Sequence, residues 1–270
     1  MNKKQHFVPQ MFLKNFCIAD EPGKCWEYNL HNKAFSKKRT EELCVQNYLY
    51  EIRDDNGNYY YENGKNAVEK GFCQLESQYV PFIDVLLTRL EDGNRIVFTD
   101  NDLELLYAWI SFLMIRNPLL LQAIPYVAKE IGTCIDTKIG KSYNFIELMP
   151  FLMEKFSFDL KKGHIEFLKS DENCSFVISD IPVIVKGNPL HHFCYVPISS
   201  KFAIVIQKPE TIVTDVHSCI IRKLKKKDVM HYNYMIFNAL INSFESELSF
   251  GNSLIANNQS ILMEMILPGV

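Results

Sequence analysis

Four polar side chains interrupt otherwise apolar segments, and together they could perform acid–base chemistry on a phosphate: His6, Glu76, Arg116 and Asp180. Near neutral pH an imidazole accepts or donates a proton, carboxylates hold divalent metal ions, and a guanidinium binds phosphate oxygens. If the fold brings these residues together, His6 is the acid or base and Arg116 stabilises the phosphate charge. Asp180 and Glu76 would then hold Mg²⁺ or Mn²⁺ or orient water, which predicts hydrolysis of phosphodiester or nucleotide bonds.

His6 lies directly before a helix that is predicted to begin near Pro9. A helix N-terminus presents unpaired backbone N–H groups and attracts anions, so Gln5 and Gln10 are candidate substrate-binding residues beside His6. The alternative is that His6 and Gln10 bond backbone groups and attach the N-terminal segment to the body of the protein.

Ser179 and Asp180 end a predicted buried strand, immediately before a turn restricted by Pro182. A strand end is a common place for a site because the sheet fixes the side chain and the loop exposes it. Ser179 is therefore a candidate for substrate binding as well. The alternative is an Asx turn in which Asp180 bonds the backbone of its own loop.

Arg116 ends the most apolar predicted helix and needs a partner there, which is Glu76, the carbonyl groups of the helix end or a substrate phosphate. Glu69 and Glu76 are seven residues apart on one predicted helix, so they offer paired carboxylates to a metal ion or occupy solvated positions. Asn238, on the last predicted helix, either lines a pocket or hydrogen-bonds the sheet.

Other signals concern partners and location. The basic run 222–227 could steer nucleic acid, although a net charge of −3 opposes a large non-specific DNA footprint. The longest apolar run, 105–115, is too short to span a bilayer, so no membrane partner is expected. The N-terminus lacks the apolar run of an export signal, and no CxxC occurs among the 8 cysteines, of which Cys17 and Cys25 are the closest in sequence. We therefore expect reduced thiols and a cytoplasmic protein.

The elements predict an α+β fold: a small N-terminal β unit, a helical middle, and an antiparallel or mixed β-sheet followed by a C-terminal helix. Residues 1–62 form the N-terminal segment with a hairpin turning near Asn56-Gly57, 63–160 are helical, and 161–270 carry the sheet and last helix. Because no Gly/Ser linker separates these regions, we expect a single domain over 1–270.

Read in order, several short motifs resemble a bacterial family known as domain of unknown function 4238. They are Gln5-His6-x-Val8-Pro9-Gln10-x-x-Leu13-x-Asn15-Phe16, Trp26-x-Tyr28, Asn47-Tyr48-x-Tyr50, Leu75-Glu76, Arg116-Asn117-Pro118, Ser179-Asp180-x-Pro182-Val183 and Pro197-Ile198-Ser199. The resemblance covers nearly the whole chain. It implies a shared architecture and a set of candidate residues, but no reaction.

Two functions from different classes remain open. The leading hypothesis is a nuclease-like hydrolase that acts on nucleic acid or nucleotides, and a toxin or anti-phage effector is a further reading. The alternative is a non-catalytic module that senses a ligand or binds a protein partner or a second copy of itself. Shifted pKa values in a concave site would favour catalysis, whereas a flat apolar patch would favour association.

Overall fold

The computed structural model describes residues 4–50, 67–118, 120, 141–186, 193–208, 217–245 and 253–266. The helices are α1 (Gln10–Leu13), α2 (Ala67–Asp92), α3 (Asp100–Ile115), α4 (Lys141–Leu160), α5 (Lys226–Glu245) and α6 (Gln259–Ile266), with 3₁₀ turns at Lys14–Phe16 and Thr40–Glu42. The strands are β1 (Lys4–His6), β2 (Lys24–Asn29), β3 (Ala34–Arg39), β4 (Val45–Asn47), β5 (Arg95–Val97), β6 (His164–Lys169), β7 (Ile178–Ser179), β8 (Ile184–Lys186), β9 (Phe193–Pro197), β10 (Phe202–Gln207), β11 (Ser218–Lys223) and β12 (Ser253–Ala256). The predicted α+β class and the order of its parts are confirmed.

A six-stranded sheet in the order β5-β11-β6-β10-β9-β8 separates two hydrophobic cores. The sheet is mixed, because β11 runs parallel to β6 while the other paired strands are antiparallel. Successive residues of β10 point to opposite faces, as a strand requires. Phe202 and Ile204 enter the core shared with α2, α3 and α4, whereas Ala203 and Val205 enter the core beneath α5 and α6.

A second sheet, in the order β3-β2-β12-β7, joins the two ends of the chain. Strand β2 belongs to the predicted N-terminal β unit and forms a hairpin with β3, a strand that the sequence did not predict. Strand β12 from the C-terminal region pairs antiparallel with β2. The turn expected near Asn56-Gly57 lies outside the described residues. Because β7 pairs with β12, the residue that follows β7, Asp180, lies against C-terminal backbone.

Helices α2 and α3 position two of the four residues that the sequence predicts to act on a phosphate: α2 carries Glu76, and α3 ends at Arg116. Thr99 caps α3 through a reciprocal pair of bonds with Asp102, which satisfies two backbone N–H groups at the helix start. Helix α3 then buries most of its length and ends at Arg116. Helix α2 continues through Pro81 as one helix and contacts α3, so its acidic residues reach the C-terminal end of α3.

Within the described part of the chain, we find no helix that combines the length and the apolar character needed to cross a bilayer.

Candidate functional site

Arg116 is the centre of a polar group that we call the Arg116 cluster: Arg116, His6, Glu69 and Glu76. The Arg116 side chain is 0% exposed, whereas those of Glu69 and Glu76 are 15% and 20% exposed. One terminal nitrogen, Nη1, donates to the Glu76 carboxylate, and the other, Nη2, donates to the backbone carbonyl of His6. Glu69 Oε2 lies 3.9 Å from Nη2. The predicted pairing of Arg116 with Glu76 is confirmed, and both terminal nitrogens are occupied by protein.

Aromatic rings enclose the guanidinium. Its central carbon lies 4.7 Å from the centroid of Phe72 and 5.2 Å from that of Phe112, which are cation–π distances. The Tyr50 hydroxyl donates to the Arg116 carbonyl over 2.6 Å and so satisfies a carbonyl at the end of α3. The cation is therefore held between rings and carboxylates, away from water.

Burial changes the acid–base properties of two members of the cluster. It is the largest cause that lowers the pKa of His6 from 6.5 to about 4, and the Arg116 charge acts in the same direction. Burial also raises the pKa of Glu69, and Glu76 adds to that effect while Arg116 opposes it. At neutral pH the imidazole is uncharged, because a proton there would be both desolvated and close to a cation.

Three buried atoms of the Arg116 cluster have no hydrogen-bond partner among the described residues: His6 Nε2, Glu69 Oε2 and Arg116 Nε. Buried polar atoms are nearly always paired with protein or ordered water. Three such atoms in one cluster mark a place where hydrogen-bonding capacity is left unused.

Asp180 belongs to a second polar group, here called the Asp180 group, together with Cys44, Ser253 and Glu27. Its carboxylate is 4% exposed. The Cys44 thiol donates to Oδ1 over 3.0 Å, and the Ser253 backbone N–H donates to Oδ2 over 2.7 Å. The Ser253 hydroxyl donates to Glu27 over 2.6 Å, so one serine bridges two buried carboxylates.

The turn after β7 differs from the Asx turn that was one reading of the sequence. It is Ser179 that closes the turn, because its hydroxyl oxygen accepts the Ile181 N–H over 3.1 Å. Asp180 bonds strand β12 instead. A serine at this point makes the local turn and leaves the aspartate available for a contact distant in sequence.

The structure thus brings His6, Glu76 and Arg116 together and places Asp180 in the other group. The two groups are linked through backbone, since the Phe7 N–H donates to the Cys44 carbonyl over 3.0 Å. Among the residues that can be described, no three His, Cys, Asp or Glu side chains are arranged to hold a metal ion. Glu76 and Asp180, the predicted metal ligands, instead bond Arg116 and the pair Cys44 and Ser253.

The predicted substrate-binding residues are dispersed. The Gln5 amide oxygen accepts the Tyr50 N–H over 2.7 Å, and the Gln10 amide donates to the Thr40 hydroxyl over 3.2 Å. The structural alternative expected Gln10 to bond a backbone group and did not include Gln5, so these two contacts fix the N-terminal segment with partners that the sequence did not predict. Ser179 is buried, while Asn238 is exposed on α5.

Of the asparagines on the last predicted helix, the sequence favoured Asn238, but Asn233, five residues before it, is the buried amide of α5. It accepts the Val177 N–H over 3.0 Å and donates to the Ser175 carbonyl over 2.9 Å. The signal was available, because Asn233 shares a helix face with the apolar residues Val229 and Ile236.

Two members of the basic run 222–227 already have acidic partners. Arg222 binds Glu166 through two nitrogens, at 2.7 and 3.0 Å, and Lys226 lies 2.8 Å from Glu264. The run therefore offers less positive charge to nucleic acid than its sequence suggests.

An apolar crevice borders the Arg116 cluster between α1, α2 and α3. Its enclosed volume is about 20 Å³, room for about one water-sized group, and about 350 Å³ when the open mouth is included. Apolar and aromatic residues dominate the lining, which consists of Pro9, Met11, Phe12, Asn15, Glu76, Tyr79, Val80, Ile83, Asp84, Trp109 and Phe112. Two of these described residues are acidic and none is basic.

The burial of His6 predicts a pH dependence of stability. The unfolded chain binds a proton at His6 more readily than the folded protein between about pH 6.5 and 4, so stability is lost as the pH falls through this window. At about 1.4 kcal/mol for each unit of pKa difference, we expect a loss of about 3 kcal/mol over this window, measured by urea unfolding at several pH values.

The control is His6→Asn, in which the loss over the same window should be smaller. Glu69, whose raised pKa acts in the opposite direction, is present in both proteins, so the difference between them reports His6. Parallel pH curves would show that the imidazole does not titrate differently on folding.

Fold and site together define an α+β protein with a mixed central sheet and two buried polar groups linked through its N-terminal strand. The chain belongs to the family described as "Protein of unknown function (DUF4238)", which matches residues 4–239. No curated protein and no solved structure matches the chain.

Proposed function

We propose that the protein is a binding module whose crevice receives a cationic group, an alkylammonium or guanidinium, at the end of an apolar chain. The observation that carries this proposal is the lining of the crevice. Aromatic and aliphatic side chains make its walls, and its charged described residues, Glu76 and Asp84, are both acidic.

The walls suit such a ligand. Tyr79, Trp109 and Phe112 are aromatic, and aromatic surfaces accept both an apolar stem and a cation. Met11, which is 41% exposed, adds a flexible side chain that can adapt to different stems. Because Glu76 already holds Arg116, the exposed Asp84 is the carboxylate we assign to the ligand cation.

The same charges argue against a phosphate in this crevice. Arg116, the cation predicted to bind phosphate, has both terminal nitrogens on Glu76 and His6. A phosphate would meet two carboxylates first.

Binding can be followed through Trp109, one of 2 tryptophans in the chain. Trp26→Phe leaves Trp109 as the fluorescent reporter at the crevice wall. Titration with n-butylamine should change its emission to saturation, and Asp84→Asn should weaken binding about two- to fivefold, the range of an exposed ion pair. Added salt should weaken binding in the Asp84 protein more than in the Asn variant.

Asp92→Asn is the matched control, because Asp92 is an exposed carboxylate at the C-terminal end of α2, about two turns beyond Asp84 and outside the crevice lining. It should leave the affinity unchanged. Equal binding of n-butanol, which lacks the charge, would contradict the proposal, as would the absence of a saturable change. If acetyl-Ala-Lys-Ala-amide binds more tightly than n-butylamine, the cation belongs to a partner protein. If the peptide binds more weakly, the ligand is a free small molecule.

A hydrolase is the second candidate, and the partnerless polar atoms of the Arg116 cluster favour it. A neutral imidazole beside a carboxyl group of raised pKa is a pairing found at acid–base sites. The discriminating experiment incubates the protein with RNA, DNA and nucleotides, with and without Mg²⁺ or Mn²⁺. Divalent-dependent turnover that His6→Asn abolishes would favour the hydrolase, and with it a toxin or anti-phage role, over the binding module.

A further inference from the structure

Cys17 and Cys25 form a pair of thiols in direct contact. Their sulfur atoms lie 3.7 Å apart, and each is within 3.9 Å of the Leu13 carbonyl oxygen. Cys17 follows the 3₁₀ turn after α1, and Cys25 is in β2. The backbone between them is closed by a bond of 2.8 Å from the Ile18 N–H to the Lys24 carbonyl. A disulfide needs sulfur atoms about 2.0 Å apart, so the two sulfurs are within about 2 Å of bonding distance.

The two sulfurs have different environments. Cys17 is partly exposed, and the hydrogen bond from Cys25, followed by the Gly23 N–H and the charge of Lys14, lowers its pKa to about 7. Cys25 is buried, and its pKa is raised by its bond to Cys17 and by burial. One partner thus supplies thiolate near neutral pH, and the other remains a protonated thiol beside it.

Cys73 shows that exposure alone does not produce this reactivity. It is the exposed thiol among the described cysteines, yet burial of its sulfur and the nearby Glu76 and Glu69 raise its pKa. Burial also raises the pKa of Cys174 to about 11 and of Cys194 to about 12. Cys134 lies outside the described residues.

We infer that Cys17 and Cys25 are a thiol-oxidation site, which a hydroperoxide converts into a disulfide. The Cys17 sulfur attacks the peroxide, the O–O bond breaks, and the products are a sulfenic acid on Cys17 and an alcohol or water. The Cys25 sulfur then attacks the sulfenic sulfur. The S–S bond forms, the S–O bond breaks, and the oxygen leaves as water with the Cys25 proton. Two thiols and one hydroperoxide thus yield one disulfide, one alcohol or water, and one water.

The Cys17–Cys25 site is separate from the crevice that we propose to bind a cation, and neither proposal depends on the other. The Cys17–Cys25 disulfide would close a loop of only a few residues just after α1, the helix that carries Met11 and Phe12 of the crevice wall.

The test treats the intact reduced protein with hydrogen peroxide near pH 7.4, blocks the remaining thiols and digests without reduction. Trypsin cleaves after Lys14, Lys24 and Lys33, so Cys17 and Cys25 fall in different peptides. We expect a crosslinked pair of these peptides, two hydrogens lighter than their sum and separated by dithiothreitol, as the first oxidation product. Cys73→Ser should form it at the same rate.

Cys25→Ser removes the resolving thiol, and Cys17 should then accumulate as a sulfenic acid that dimedone labels. Peptide mapping of the wild-type protein requires no variant, so it tests the proposed oxidation site even if Cys25→Ser does not fold. Oxidation of Cys73 before Cys17 would overturn the inference. So would oxidation of Cys17 in the wild type to higher acids without a bridge to Cys25.

Discussion

Arg116→Met should lower the free energy of unfolding by about 3–5 kcal/mol, the usual cost of removing one partner of a buried ion pair. The variant keeps an apolar side chain between Phe72 and Phe112 but leaves the Glu69 and Glu76 carboxylates without their cation. It also removes the donor to the His6 carbonyl, which fixes the N-terminal strand. Urea unfolding, followed by circular dichroism, measures the loss.

Arg222→Met is the matched control, because Arg222 also binds a glutamate, Glu166, but with a side chain that is 46% exposed. This exposed pair should contribute at most about 1 kcal/mol. Adding Glu69→Gln and Glu76→Gln to Arg116→Met should recover part of the lost stability, since no buried charge then remains unpaired. A loss in Arg116→Met no larger than that in Arg222→Met would show that the cluster does not hold the fold together.

Asp180→Ala should cost about 2–3 kcal/mol, because it leaves two buried donors without an acceptor. These are the Cys44 thiol and the Ser253 N–H, and the second donor fixes β12 against the end of β7. Asp180→Asn should cost less, since its amide oxygen can still accept from one of them. Thermal and urea unfolding measure both variants.

Asp171→Ala is the matched control for this prediction. Asp171 also accepts a backbone N–H, that of Asn173 over 2.9 Å, but in an exposed turn where water can replace the bond. Its loss should be within about 0.5 kcal/mol. If Asp180→Ala loses no more stability than Asp171→Ala, the Asp180 group does not stabilise the fold, and a role for Asp180 in a functional site is supported again.

Helices α2 and α5 and strand β6 could be predicted because their apolar residues recur with the period of the element, and α3, β9 and β10 because they are nearly continuous apolar runs. Strand β11 is not predicted, because two of its six residues belong to the basic run 222–227. Strand β12 and helix α6, which follow the last predicted helix, are not predicted either. Short elements such as β12 carry little periodic signal, and pairing with β2 and β7 stabilises them.

Much of the candidate site followed from one argument, that a charged residue in an apolar segment needs a partner. That argument selected Arg116 and left three kinds of partner open, of which the structure shows Glu76. It could not distinguish Asp180 from the members of the Arg116 cluster. It also gave no weight to Cys17 and Cys25, whose contact depends on a turn rather than on a known motif.

The sequence by itself determined most of the helices, the longer strands and which polar side chains must be paired on burial, because these depend on local residue type and spacing. Only the tertiary structure decided the partners. Arg116 reaches the His6 carbonyl across 110 positions, and Asp180 reaches Ser253 across 73. Such contacts depend on how the sheets are ordered, and local periodicity does not encode strand order when the connections are long.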